Sequence, residues 1–347
     1  MIWLTYLLIG LGALLSLWLV AFIISLFVYI PLVARLITET ASVPPRPPDA
    51  LPSGQTVRLV TRYRQRIHAT VWEPPQALPA RGTAILCHPY QQSRWYMAGL
   101  SQHLTAAGWN VLALDFCGHG ESPSPDGYRP VGWVSQYEMW DIEAALRFVR
   151  KRYAPRGDVW LLGMSKGANT ALCAAAIWDE IKLVVADGAF GSLPMIEYYY
   201  RRLVENNSRL ASLWSRLPRF WVYIYLRPAM WLAARKCRCR FLPDMALLPR
   251  VKQPVLLIRG ERDRVVSQEV TLHVKQNLRC PVEMLTIPKA RHNGSFATDP
   301  DTYVREVLSM VDTVLPPAPP FAITLKPAVP EPNESKPGRR VRFNARG

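Results

Sequence analysis

The chain has 347 residues, half of them hydrophobic, and carries 42 Lys and Arg against 26 Asp and Glu, a net charge of +16. That length accommodates one domain of about 250 residues with appendages, and the apolar share is enough for a sizeable core and something more, much of the excess falling in the first thirty residues. The basic surplus is not gathered into a zinc finger, an RRM or a helix-turn-helix, so nucleic acid is not an expected partner; an anionic membrane surface suits the charge better.

From Ile2 to Ile30 no side chain is charged. About 20 apolar residues cross a bilayer, so residues 1–38 read as a transmembrane anchor. A cleaved signal peptide would begin with basic residues and hold a shorter apolar run of about 7–15 residues. No Lys or Arg precedes the span, whereas Arg35, Arg46, Arg58, Arg62, Arg64 and Arg66 follow it. The positive-inside rule therefore puts the rest of the chain on the cytoplasmic side. Residues 39–54 are rich in proline and read as a linker, and residues 316–347, rich in Pro and basic residues without apolar periodicity, read as a disordered tail.

Between these ends, short apolar runs alternate with helical patterns. Val57–Tyr63 and Arg66–Trp72 are close enough to form an antiparallel hairpin. Thr83–His88, Asn110–Asp115, Val159–Gly163, Lys182–Asp187, Pro254–Arg259 and Val282–Ile287 suit strands buried on both faces of a parallel sheet. Helices are expected near Met97–Ala107, Tyr137–Arg152, Lys166–Ala176, Gln268–Leu278 and Thr302–Leu315. The alternation implies an α/β domain over residues 55–315, whose ligands bind beyond the carboxyl ends of the strands.

Gly163–Met164–Ser165–Lys166–Gly167 lies between an expected strand and an expected helix. G-x-S-x-G gains meaning from that context, where a sharp turn projects the serine above the sheet and small residues leave room for it. A serine hydroxyl needs a base to take its proton and a third group to orient that base. Asp263 follows the strand ending at Arg259, and His292 follows the strand ending at Ile287, in the chain order Ser, Asp, His. Asp187, at the end of the strand after the nucleophile's helix, and Glu261 compete for the acid's role. His68, His103, His119 and His273 read as surface or packing residues. The backbone N–H groups of Tyr90 and Lys166 are the expected oxyanion donors, because Pro89 has no N–H to offer. Cys87, Cys117 and Cys173 fall in core or loop segments instead of a disulfide framework, and Cys237 with Cys239 lacks the second pair a zinc site needs. Asn206, Asn293 and Asn333 begin N-x-S patterns, and a glycan on Asn293 would obstruct the neighbouring His292.

Over about residues 55–315 the chain resembles the α/β-hydrolase superfamily. The resemblance is carried by His88–Pro89–Tyr90, by Asp115–Phe116–Cys117–Gly118–His119–Gly120–Glu121–Ser122, by the serine turn and by the late Asp and His. Within the superfamily it resembles the serine aminopeptidase-like hydrolases and the membrane-anchored, Bem46-like group. The resemblance implies a mostly parallel eight-stranded sheet with helices on both faces. It also implies hydrolysis of an ester, thioester or amide with no metal and no organic cofactor. His88–Pro89 stands where many relatives have His-Gly, and the charged Lys166 directly follows the serine; both departures bear on substrate. The G-x-S-K-G-A form is also similar to acyl-CoA thioesterases and acyltransferases.

A helical insertion at about 192–250 interrupts the alternation and, in this fold, forms a cap. From Arg201 to Arg250 it holds eleven basic residues against Glu205 and Asp244, together with many Trp and Tyr. Such a mixture suits a membrane interface as well as plain packing. Arg219, Arg227 and Arg235 argue against a second span. The expected function is a membrane-anchored serine hydrolase acting on a small-molecule or lipid ester. The alternatives are an acyl-thioesterase, an acyltransferase, a peptidase, or a catalytically silent membrane-tethered binding protein.

Overall fold

The computed structural model describes residues 2–38, 53–153 apart from 77 and 79, 157–207 and 218–317. Most of the expected linker and tail lies outside the described residues.

Eight strands form one sheet: β1 Gln55–Val60, β2 Arg66–Trp72, β3 Gly82–Cys87, β4 Trp109–Leu114, β5 Asp158–Met164, β6 Ile181–Asp187, β7 Val255–Gly260 and β8 Val282–Ile287. Their order is β1-β2-β4-β3-β5-β6-β7-β8. The first two pairings, β1 with β2 and β2 with β4, are antiparallel, and every later one is parallel. The hairpin differs from expectation at its tip. β1 stops at Val60 because the Thr61 hydroxyl and N–H both donate to the Gln65 carbonyl, at 2.9 Å each, closing a turn in which Arg64 has φ 62°.

Period-two alternation divides each central strand between two cores. In β3, Ile85 and Cys87 join the core that also holds Leu112, Leu161 and Ala171, while Ala84 and Leu86 join Trp109, Trp160 and Tyr303 on the other face. Helices α2 Ala98–Ala106 and α8 Pro300–Val314 cover the second face; α3 Gln136–Tyr153 and α4 Lys166–Ala175 cover the first. α7 Gln268–Asn277 lies between β7 and β8 in sequence. β3 pairs with both β4 and β5, so the winding reverses there, the kind of point at which open parallel sheets take ligands into the crevice beyond their carboxyl ends.

The insertion between β6 and β7 supplies α5 Ser192–Asn207 and α6 Arg219–Lys236. α6 meets the N-terminal helix, α1 Ile2–Thr38. At about 1.5 Å per residue, the 37 residues of α1 extend roughly 55 Å, nearly twice the ~30 Å hydrocarbon core of a bilayer. Its most apolar window has mean hydropathy 2.7 and is uncovered by protein. The C-terminal half is different. Phe22 packs edge-on against Trp221 and Tyr225, Ser25 Oγ lies 2.7 Å from the Tyr225 hydroxyl, and Tyr29 meets the same ring. Further along, Ala34 and Ile37 are buried with Leu226, Ala229 and Ala233. α1 and α6 therefore run side by side in the same direction, and the end of α1 is part of the insertion's core.

Candidate active site

Ser165 sits between β5 and α4 with φ 53° and ψ −116°, a strained conformation for a residue with a side chain. Both flanking glycines are required. A Cβ on Gly163 would collide with the Gly167 carbonyl, and one on Gly167 would strike the Cys87 carbonyl at the end of β3. The turn is held from the neighbouring strand, where the Asp187 carbonyl accepts the Ser165 N–H at 2.7 Å.

His292 comes from the loop after β8. Its Nε2 lies 2.9 Å from Ser165 Oγ and its Nδ1 lies 2.7 Å from Asp263 Oδ2. Asp263, in the loop after β7, accepts the N–H groups of Val265 and Val266 on its other oxygen, each at 2.8 Å. These donors fix the carboxylate's orientation. Gly188, at φ 67°, lets the β6 loop lie against the imidazole: a Cβ there would come within 3.3 Å of His292 Cε1.

The rival acids are occupied elsewhere. Glu261 accepts the Lys289 N–H at 2.8 Å. Asp187 accepts the Ser295 hydroxyl at 3.1 Å, and burial pushes its carboxyl up to about 6. Ser165, His292 and Asp263 thus form one continuous hydrogen-bonded chain beyond the carboxyl ends of β5, β7 and β8. Such a chain can remove the serine proton, hold the imidazole in one tautomer and stabilise the imidazolium that results.

The loop after β3 closes the other side. The buried ring of His88 accepts the Phe116 N–H on Nε2 at 3.1 Å, which leaves Nδ1–H to donate to the Pro89 carbonyl at 2.7 Å. Burial lowers its pKa to about 4, so the ring stays neutral and pins the loop that carries Tyr90. His119 packs against both the His88 and Tyr90 rings.

Lys166 departs from the sequence expectation that its charge bears on substrate. Its side chain turns inward, away from the crevice. Nζ donates to Glu138 at 2.7 Å with the two side chains 1% and 0% exposed, and it lies 5.5 Å from the Tyr90 ring centre. Glu138 also accepts from the Tyr128 hydroxyl at 3.0 Å and from the N–H and hydroxyl of Ser135 at 2.8 and 2.7 Å. Burial alone would raise the Glu138 carboxyl, but the Lys166 charge and these hydrogen bonds more than offset it and hold the group below its usual range.

Two supporting residues were missed by sequence reasoning. Glu138 carried a signal: Ser135-Gln136-Tyr137-Glu138 has the S-x-x-E form of a capping box, and it opens α3. Arg94 carried none. It is buried and paired with Asp115, whose carboxylate also accepts the Arg94 and Glu121 N–H groups at 2.6 and 3.0 Å. Gly120, at φ 53°, lets the loop close over that carboxylate, so the glycine-rich run is a brace for the crevice.

Sheet order, serine turn and loop placement define an α/β-hydrolase fold. A family model described as the alpha/beta hydrolase fold matches residues 84–226, a range that includes Ser165 and ends before Asp263 and His292. The uncharacterized protein YqkD of Bacillus subtilis is 25% identical over 67% of this chain and 72% of its own length. The human serine hydrolase BPHL is 28% identical over 53% of this chain and 64% of its own. Among solved structures, the Pyrococcus furiosus esterase Pf2001 superposes with TM-score 0.59 at 21% identity, covering 80% of this chain and 98% of that one. The esterase domain of a Rhodothermus marinus protein gives 0.52 at 17% identity, covering 76% of this chain and all of its own. The chain therefore has the α/β-hydrolase fold.

Proposed function

We propose that this protein is a membrane-anchored serine esterase, acting through an acyl-enzyme on Ser165. One observation carries the reading: the unbroken hydrogen-bonded chain from Ser165 Oγ through His292 to Asp263. In the proposed reaction His292 Nε2 takes the serine proton as Oγ attacks the ester carbonyl. The N–H groups of Lys166 and Tyr90 receive the resulting oxyanion. The tetrahedral intermediate collapses, His292 returns the proton to the departing alkoxide, and the acyl group remains on Oγ. Water, deprotonated by the same imidazole, then releases the carboxylic acid and restores Ser165.

The membrane assignment follows from α1. The first 20 or so residues suffice to cross a bilayer. The packing on α6 begins at Phe22, where such a span ends, so Arg219, Phe220 and Trp221 come to headgroup level, where aromatic and basic side chains concentrate. This placement, the cytoplasmic orientation and the division into anchor (1–38), linker (39–54), hydrolase domain (55–315, with its cap at about 192–250) and tail (316–347) belong to the same proposal. It favours esters with an acyl chain over peptides.

Labelling with a fluorophosphonate probe tests the chemistry. The wild-type chain should label on Ser165 and hydrolyse a short p-nitrophenyl ester, and Ser165→Ala should do neither. A chain that folds but takes no label would instead be a silent binding protein.

A further inference from the structure

The cap is joined to the sheet at two places, where α5 leaves after β6 and where the segment following α6 returns towards β7. Asp244 fastens the two together: its Oδ2 accepts the N–H and hydroxyl of Ser192 at 2.7 and 2.6 Å. Beside this clasp lies a groove of about 690 Å³, within the range of small-molecule sites, lined by Leu193, Met230, Trp231, Phe241, Leu242 and Met245. None of Ser165, His292 and Asp263 lines it.

α6 divides its surface between two tasks. Leu226, Ala229 and Ala233 form the stripe buried with α1. Arg227, Met230, Trp231, Ala234 and Arg235, at helical spacing, form the neighbouring stripe that faces the groove. Arg227 and Arg235 are eight residues apart, roughly 12 Å along the axis, and Arg240 follows on the returning segment. Among the described residues none of these three guanidinium groups meets a carboxylate. Arg227 lies over Tyr223 at 5.6 Å and Arg235 over Trp231 at 4.3 Å. Asp244, the carboxylate among the lining residues, is consumed by the clasp.

An apolar trough bordered by cations that meet no carboxylate among the described residues matches a ligand with one apolar chain and one anionic head. We propose that this groove is a binding site, separate from the crevice at Ser165, for a long-chain carboxylate. The chain lies along Met230, Trp231 and Phe241, and the planar carboxylate engages the guanidinium forks of Arg235 and Arg240. Because the site contacts both arms of the cap's attachment, its occupant touches the segments that set the position of the cap.

The test uses the full chain in phosphatidylcholine nanodiscs, photolabelled with a diazirine-bearing dodecanoate and mapped by peptide mass spectrometry. Label should fall within residues 227–246. Dodecanoate should compete at least roughly tenfold better than dodecanol, and Arg235→Gln with Arg240→Gln should weaken labelling by a similar factor, as the loss of charge-assisted hydrogen bonds requires. Ser165→Ala should label as the wild type does, whatever the outcome for hydrolysis. Label confined to α1 or to the Ser165 crevice, equal competition by dodecanol, or labelling indifferent to the arginine changes would overturn the proposal.

Discussion

Lys166 donates to Glu138 across 2.7 Å, both side chains sealed from water, although its backbone opens the helix directly behind Ser165. The pair ties the start of α4 to the start of α3. Removing one partner leaves an unneutralised buried charge, so Glu138→Ala should cost about 3–5 kcal/mol of stability. Urea denaturation of the two proteins would measure it. A loss below about 1 kcal/mol would show that the pair is hydrated and does not brace the turn.

The acid can be assigned by comparing two substitutions. Asp263→Asn removes the anion that orients His292 and should lower kcat/KM on the order of 10⁴-fold. Asp187→Asn keeps an acceptor for Ser295 and should lower it by less than about tenfold, since the lost group bonds Ser295 and not the imidazole. Steady-state kinetics on a short ester decide between them, and a reversed order would move the acid to the end of β6.

Gly167→Ala tests the tightness of the serine turn. The added methyl meets the Cys87 carbonyl, which belongs to a central strand and has nowhere to retreat. Fluorophosphonate labelling of the soluble, folded variant should be at least roughly a hundredfold slower, the cost a small displacement of reacting groups can impose. Labelling at the wild-type rate would mean that the β3 loop yields easily.

Acid should weaken the protein through His88. Its folded pKa of about 4 lies below the unfolded value of about 6.5, so unfolding takes up a proton between those limits. The contribution is intact above pH ~6.5 and is lost as the pH falls through the folded value near 4. Asp187 acts in the opposite sense: with its carboxyl raised to about 6, the folded state gains relative stability as the pH falls below that value. His88→Gln removes only the first effect, so its unfolding free energy should decline less than that of the wild type between pH 7 and 5. Parallel declines would exclude His88 as the source.

The two halves of α1 should respond differently to deletion. Removing residues 2–20 should abolish membrane integration and leave the melting temperature close to that of the full chain, because the contacts with α6 begin at Phe22. Removing residues 2–42 uncovers Leu226, Ala229 and Tyr225 and should lower it by several degrees. Any residual binding of the shorter form to anionic liposomes should weaken with salt, since surface charges are screened within about 10 Å at 0.1 M. Equal melting temperatures would mean that α1 contributes nothing to the cap.

The sheet was legible because strands buried on both faces, such as Val159–Gly163 and Pro254–Arg259, stand out as short apolar runs between turn residues. The hydrogen-bonded Ser165, His292 and Asp263 were legible because each follows directly on a strand end, and a parallel sheet brings such ends to one edge. The direction of the Lys166 side chain was not, because neither it nor its partner Glu138, 28 residues away, shows from sequence which way it faces. The docking of α1 was equally hidden. A helix that is apolar on every side carries no stripe to mark the face that meets protein.

The Ile37 carbonyl lies 3.4 Å from the indole nitrogen of Trp133, and Trp133 packs edge-on against Phe190, two residues beyond the glycine that touches His292. In the proposed arrangement the anchor is therefore a splint and not a leash. The crevice keeps a constant height and tilt above the bilayer, and it meets substrate by lateral diffusion in two dimensions. Turnover of a lipid ester should then follow its mole fraction in the membrane, and diluting the vesicles in buffer at constant composition should leave the rate per enzyme unchanged.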